Sequence, residues 1–136
     1  MYTPANITRP EDIHAELETI QAFLVASYSA DLPAEVQSRF DSLGGYMARS
    51  GKLKADAEYH YQTMVYSTIM QTLKDAMDMR LSASTVNKLI EAEARNLKFL
   101  MTWADRVNRS CTHQLEAMRS VFATLRAERF ANNYGR

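Results

Sequence analysis

The sequence is poor in the residues that interrupt helices and in those that crosslink chains. Its 136 residues include three prolines and four glycines, and neither type occurs between residues 52 and 134. Cys111 is the only cysteine, so no disulfide can form within the chain, and a reducing compartment is favoured. Since no run of about 18 apolar residues is present, we expect no membrane-spanning helix and no membrane partner.

The motifs of common enzyme classes are also missing. The sequence has no P-loop, no other Gly-rich phosphate loop and no G-x-S-x-G motif. Glu11 and His14 form one Glu-x-x-His pair, whereas a di-iron bundle needs two such pairs and two further glutamates. Cys111 and His113 lie two positions apart, so on a helix they cannot converge on one ion. We therefore predict that the protein is not an enzyme and has no metal or cofactor.

The charged residues balance overall but are unevenly distributed. Residues 1–51 contain three arginines and seven acidic residues, whereas residues 95–136 contain seven arginines, one lysine and three acidic residues. A molecule with one acidic and one basic end can dock on another copy of itself, and the basic end can bind an anion. The first residues lack the apolar core of a signal peptide, so we expect a cytoplasmic protein.

The pattern of apolar residues predicts helices throughout. These residues recur every three or four positions in each segment, and no segment alternates as a strand would. Thr8 and Glu11 have the spacing of a capping box at the start of a first helix. The predicted fold is an all-α helical bundle in one domain, residues 1–136. Two N-terminal helices precede a long C-terminal helical hairpin, roughly residues 53–80 and 83–130.

Glycines and serines indicate where helices end. A second helix is expected to begin near Pro33 and to end at Ser50-Gly51. The Gly44-Gly45 pair inside it predicts either the close approach of another helix or a kink or break. The last helix is expected to begin at Ser82 or Ser84, because serine is a favoured N-cap.

The third predicted helix is apolar on two sides, which indicates burial on two sides. One side carries Tyr59, Tyr66, Leu73 and Met77; the other carries Leu53, Ala57, Tyr61, Met64 and Thr68. In so small a bundle, two buried sides predict a homo-oligomer.

The last helix follows a heptad pattern as far as Cys111, and the step to Leu115 is then four where three is due. Such a stutter locally unwinds a coiled coil. It falls on residues 112–114. The helix therefore either changes its packing partners there or breaks, with Ser110 or Thr112 as a new cap.

Polar side chains of the last helix form the candidate site. Five basic side chains share the side opposite the apolar stripe: Arg95, Lys98, Arg106, Arg109 and His113. Arginine side chains suit phosphates and carboxylates, although charged faces are more often simply solvated. Asn108, Arg119 and Arg126 lie on another flank, so a shared ligand would require oligomer packing.

The tyrosines of the third helix are a second candidate. Aromatic rings can stack on nucleobases, although tyrosines at this spacing are more often core or interface residues. The complete set of predicted ligand-binding residues is Arg106, Asn108, Arg109, His113, Gln114, Arg119, Tyr59 and Tyr66.

Two stretches resemble a known group of proteins: "SGKLKADAEYHY" (Ser50–Tyr61) and "RVNRSCTHQLEAMRS" (Arg106–Ser120). The group comprises small helical accessory proteins of tailed bacteriophages and prophages of gut bacteria, without an assigned function. The likeness covers residues 43–126. It implies a phage accessory protein in the host cytoplasm that acts on nucleic acid or disarms host defence. The matched positions carry hydrogen-bonding side chains: Asn108, Arg109, Thr112, His113, Gln114 and Arg119.

Three functions compete at this point. The first is non-catalytic binding of a small anionic, nucleotide-type ligand, with sequestration of a host immune signal as its purpose. The second is a DNA-associated role in phage recombination or replication, motivated by the basic C-terminal region. The third is a purely structural or host-protein-binding helical oligomer.

Overall fold

Three helices make up nearly all of the described chain. The computed structural model of the protein describes residues 6–79 and 81–134, except the side chains of residues 76–79. The helices are α1 (Pro10–Val25), α2 (Pro33–Met79) and α3 (Ala83–Tyr134). No strand occurs in the described ranges, so the prediction of an all-α bundle with a long C-terminal hairpin is confirmed.

The predicted end of a helix at Ser50-Gly51 is wrong, because α2 continues through it. Ser50 is fully buried. Its hydroxyl donates to the carbonyl oxygen of Met47 at 3.1 Å and accepts from Nδ2 of Asn108 at 3.1 Å. A serine whose hydroxyl is bonded within its own helix and to a neighbouring helix does not cap a new one.

The glycine pair inside α2 does not mark a close approach of another helix. A Cβ atom added at Gly44 or Gly45 would meet nothing within 4 Å. The helix is uninterrupted at both positions. Nothing in the structure requires glycine there.

The two predicted N-caps have different outcomes. The hydroxyl of Ser82 accepts a hydrogen bond from the Thr85 amide at 3.2 Å, so Ser82 caps α3, and the alternative of Ser84, which lies inside the helix, is wrong. The capping box of the first helix is wrong, because the N-cap of α1 is Arg9, which makes no side-chain capping bond. Thr8 instead accepts a hydrogen bond from Arg49 of α2.

Helix α3 is continuous across residues 112–114, so the alternative of a break at the stutter is wrong. The stutter lies beside the end of α1, where Gln114 donates to the carbonyl oxygen of Leu24 at 3.0 Å. Beyond this point α3 packs against the first part of α2, as the edge-to-face contact of Phe122 with Phe40 shows. Before the stutter α3 also packs against α2, where Asn108 binds Met47, so a change of packing partners at the stutter stays a prediction.

The core lies where α1 crosses the α2–α3 hairpin. In the first half of α1, Glu16 accepts from Arg49 of α2 with both carboxylate oxygens, at 2.6 and 2.8 Å. Asp56 accepts from the amide of Thr8, and His60 hydrogen-bonds the carbonyl oxygen of Thr8. The largest fully buried side chains of the three helices are Ile13, Leu17, Ile20, Val36, Leu43, Leu53, Val107 and Met118.

Of the two apolar sides predicted for residues 53–80, only the beginning of one is buried in the single chain, since Met64 of that side is exposed. Leu53 and Ala57 belong to the core, whereas Tyr66 is 61% and Leu73 is 55% exposed. We call Tyr59, Tyr66, Met70 and Leu73 the outer stripe of α2. Met77 belongs to this side by sequence, but its side chain lies outside the described residues. Oligomerisation therefore stays a prediction.

None of the three described helices has the length and apolar character that crossing a membrane requires.

Candidate functional site

Two of the predicted ligand contacts hold the helices together. Asn108 donates from Nδ2 to the carbonyl oxygen of Met47 at 2.9 Å and to the hydroxyl of Ser50 at 3.1 Å. Its amide therefore joins α3 to the middle of α2. Gln114 joins α3 to the end of α1 through Leu24 and to Arg39 of α2, whose Nη2 donates to its Oε1 at 2.7 Å.

Arg39 is the centre of this second junction and was not predicted. It is 93% buried, since its exposed fraction is 7%. Its guanidinium donates to the carbonyl oxygens of Phe23 and Leu24, the last turn of α1, and lies 4.6 Å from the ring centroids of Phe23 and Tyr28. A cation is favoured at a helix C-terminus, where carbonyl groups lack partners within the helix. Arg39 therefore serves as a cap for α1.

The predicted basic face of α3 is exposed, and Arg95 and Lys98 line a hollow of about 350 Å³ with Tyr61 of α2. Arg109 pairs with Asp105 at 3.1 Å, and Lys54 of α2 donates to the same carboxylate at 2.8 Å. The hydrogen bond from Lys54, aided by the charge of Arg109, outweighs partial desolvation and holds the pKa of Asp105 below its usual range. His113 is exposed and lies 3.8 Å from Glu116. Arg106 lines a hollow of about 320 Å³ with Phe99 and Trp103.

The two candidate tyrosines, Tyr59 and Tyr66, make no hydrogen bond or ring contact with the basic face of α3 in the described residues. Tyr59 is half-buried and contacts the ring of its neighbour His60 edge-on. Tyr66 is exposed on the outer stripe. Both tyrosines belong to α2, and their role in stacking on a nucleobase stays a prediction.

A second set of basic side chains, three arginines, converges where α3 passes the start of α2. Two adjoining hollows of about 340 and 350 Å³ share Gln37 of α2 with Phe122 and Arg126 of α3. Arg119 completes one hollow and Arg129 the other. We call these five residues the arginine groove.

The floor of the arginine groove is aromatic. Phe122 is partly buried, and its ring meets that of Phe40 edge-on, with centroids 5.1 Å apart and planes at 88°. Phe122 lines the groove together with three arginines, so an apolar floor lies beside guanidinium groups. Such a combination suits a ligand with a flat ring and an anionic group.

The charge of the arginine groove is not neutralised within the described residues. Arg119, Arg126 and Arg129 are exposed and form no ion pair there. Two acids near the start of α2 have other partners: Glu35 accepts from the amide of Ser29 at 2.8 Å, and Asp41 accepts from Gln37 at 3.0 Å. Pro33, the first residue of α2, also lines the groove, so the positive end of that helix dipole faces it.

Sequence reasoning found this groove only in part. Arg119 was predicted as a ligand contact, and Arg126 was placed on the same flank. Arg129 and Phe122 were missed, although positions 119, 122, 126 and 129 repeat at three or four residues and share one helix face. No sequence pattern around Gln37 indicated a ligand contact, because only the antiparallel pairing of α2 with α3 brings this residue to the groove.

The only cysteine is not part of the groove. Cys111 is buried among the core residues, and desolvation raises the pKa of its thiol despite a hydrogen bond with Ser50. A buried neutral thiol is a poor nucleophile. Among the residues that the structure describes, no three His, Cys, Asp or Glu side chains come close enough together to hold a metal ion.

Comparisons of the chain with protein-family models, with curated proteins and with solved structures found no match. Any assignment of function therefore depends on the geometry of the site.

Proposed function

We propose that this protein is a non-catalytic accessory protein that binds an anionic, nucleotide-type ligand in the arginine groove. The observation that carries the proposal is the convergence of Arg119, Arg126 and Arg129, unpaired within the described chain, on hollows with an aromatic floor. Guanidinium groups form strong charge-assisted hydrogen bonds with phosphates. Each hollow also has the size of a small-molecule site, which begins at about 300 Å³.

The resemblance to phage accessory proteins supports a purpose for such binding. A phage protein that holds a nucleotide signal in the host cytoplasm without converting it would blunt the host defence that depends on the signal. Sequestration needs affinity and no catalytic group, and the groove contains none of the acid–base or nucleophilic arrangements that catalysis uses.

The proposal is tested by measuring nucleotide affinity on charge-matched variants. Purified protein is screened by thermal shift and calorimetry against mono-, di- and cyclic oligonucleotides. Arg126→Gln is expected to weaken binding at least tenfold, because Arg126 lines both hollows. Arg109→Gln removes the same charge from an exposed site elsewhere on α3 and should leave the affinity unchanged.

Two results would contradict the proposal. Equal losses in the two variants would indicate non-specific attraction of an anion to a basic helix. A loss confined to Arg109→Gln would favour the face predicted from the sequence over the arginine groove. Both side chains are exposed, so neither change should unfold the protein.

We further propose that the protein forms a homo-oligomer, a dimer or a tetramer, through the outer stripe. Tyr59, Tyr66 and Leu73 recur at seven-residue intervals with Met70 between the last two, as in the seam of a coiled coil. Light scattering should give a multiple of 15.5 kDa at micromolar concentration, and Leu73→Glu should reduce it to a monomer. A monomeric wild-type protein would refute this assembly while leaving the groove proposal intact.

A further inference from the structure

We infer that the ligand of the arginine groove is a short single-stranded segment of nucleic acid, whose phosphates lie on the groove arginines and whose next bases stack on Phe130 and Tyr134. The inference rests on the proposed function, because it names the ligand of the same site. It extends the site to the last turns of α3, which the groove itself does not include.

The two aromatic residues at the end of α3 are exposed and stacked on each other. Phe130 is 64% and Tyr134 is 76% exposed. Their ring centroids lie 4.7 Å apart, with planes inclined at 30°. Pro33 at the start of α2 faces Arg126 and Arg129, so the turns beyond position 129 project past the beginning of α2. Both rings therefore offer apolar area that the described chain does not use.

These rings continue the line of the groove. Arg119, Arg126, Phe130 and Tyr134 are separated by seven, four and four residues, which places all four on one face of α3. The face thus presents cationic groups first and flat apolar groups next. A nucleic acid strand offers matching groups, because each nucleotide has a phosphate that can bind an arginine and a base that can stack on an aromatic ring.

The dimensions of this face suit a short segment. Fifteen residues separate Arg119 from Tyr134, which corresponds to about 22 Å of helix at 1.5 Å per residue. At about 3.4 Å per stacked nucleotide, the face spans roughly six nucleotides at most. A mononucleotide could reach from Arg126 to Phe130, one helical turn away, but not from Arg119 to Tyr134.

The rings also favour a single strand over a duplex. Bases within a duplex are already stacked and paired, so side-chain rings reach them only where the bases are unpaired. The arginines alone would bind the backbone of either form. The aromatic pair is therefore the feature that selects unpaired bases.

The test compares an octathymidylate with thymidine 5′-monophosphate on the full-length protein. The octamer is expected to bind at least tenfold more tightly than the monophosphate. Phe130→Ala and Tyr134→Ala should each weaken octamer binding about tenfold, since base stacking on an aromatic side chain has about that effect. Affinity for the monophosphate should not change in Tyr134→Ala, because Tyr134 lies two turns beyond Arg126. Phe99→Ala is the control, because Phe99 is a similarly exposed aromatic residue of α3 far from the groove.

The salt dependence gives an independent measure of the contact. Three arginine–phosphate contacts predict a slope of about −2 for the logarithm of octamer affinity against the logarithm of salt concentration, at roughly 0.7 per contact for single strands. Arg126→Gln should reduce the slope by about 0.7. A slope near zero would overturn the inference.

The outcomes separate this inference from the proposed function. Equal affinity for the two ligands, no effect of the aromatic substitutions, or equal binding of a duplex of the same length would each overturn the inference alone. Failure of both ligands to bind, or no effect of Arg126→Gln on either, would overturn the proposed function as well. Circular dichroism of each variant confirms that the helices are intact.

Discussion

Gln114 joins all three helices, and its replacement by alanine tests whether this residue is structural or a ligand contact. Its Oε1 accepts from Arg39 of α2 at 2.7 Å, and its Nε2 donates to the carbonyl oxygen of Leu24 in α1 at 3.0 Å. Alanine removes both bonds. The buried guanidinium of Arg39, whose Nε already lacks a partner within the described residues, would lose a further acceptor.

The expected destabilisation follows from these two bonds. A hydrogen bond to a charged group contributes about 1.5–3 kcal/mol, and a neutral one contributes about 1 kcal/mol. The higher helix propensity of alanine offsets a few tenths of a kcal/mol. We therefore expect Gln114→Ala to lower the free energy of unfolding by about 3 kcal/mol. With about 2.1 cal/mol/K of unfolding entropy per residue, this corresponds to a Tm decrease of about 10 °C for the whole chain.

The assay is thermal unfolding followed by circular dichroism, with His113→Ala as the matched control. His113 is the adjacent residue, its side chain is 79% exposed, and its contact with Glu116 is long at 3.8 Å. The control should change stability by less than about 0.5 kcal/mol. If Gln114→Ala melts at the control's temperature while nucleotide affinity falls, the structural role argued for Gln114 is refuted and the predicted ligand role stands.

Two further predictions concern α2. Gly45→Ala should raise stability by about 0.5–1 kcal/mol, because an added Cβ meets nothing within 4 Å and alanine is the better helix former; a lower Tm would mean that the helix is distorted at this point. Asp56 is buried, and although desolvation raises its pKa, the hydrogen bonds from Lys52 and Thr8 outweigh that effect and hold the pKa below the usual range. Its contribution to stability is therefore complete above about pH 4, the usual value for an unfolded aspartate, and is lost as the pH falls through the lower folded-state pKa. Urea unfolding from pH 7 to pH 2 should show this loss in the wild type, and Asp56→Asn, less stable at pH 7, should show less of it; parallel curves would contradict the assignment.

Local patterns in the sequence were sufficient to predict that this protein is all-α. The three- or four-residue repeat of apolar side chains is a property of each segment alone, since a helix must bury one face wherever it packs. Ser82 could be named as one of two possible N-caps for the same reason, because the capping bond to Thr85 spans only three residues. The end predicted at Ser50-Gly51 was wrong because Asn108, 58 residues away, binds the Ser50 hydroxyl and supports a continuous helix.

The candidate site depended on contacts that only the tertiary structure decides. Residue type alone placed Asn108 and Gln114 among ligand contacts, since their amides can bind a ligand or another helix equally well. The register of α3 against α1 and α2 gives both amides internal partners. The same register brings Gln37 beside Arg126, residues 89 positions apart, and so forms the arginine groove. Helix periodicity is a local property of the chain, whereas the register of one helix against another is set by packing over the whole hairpin, which no single segment contains.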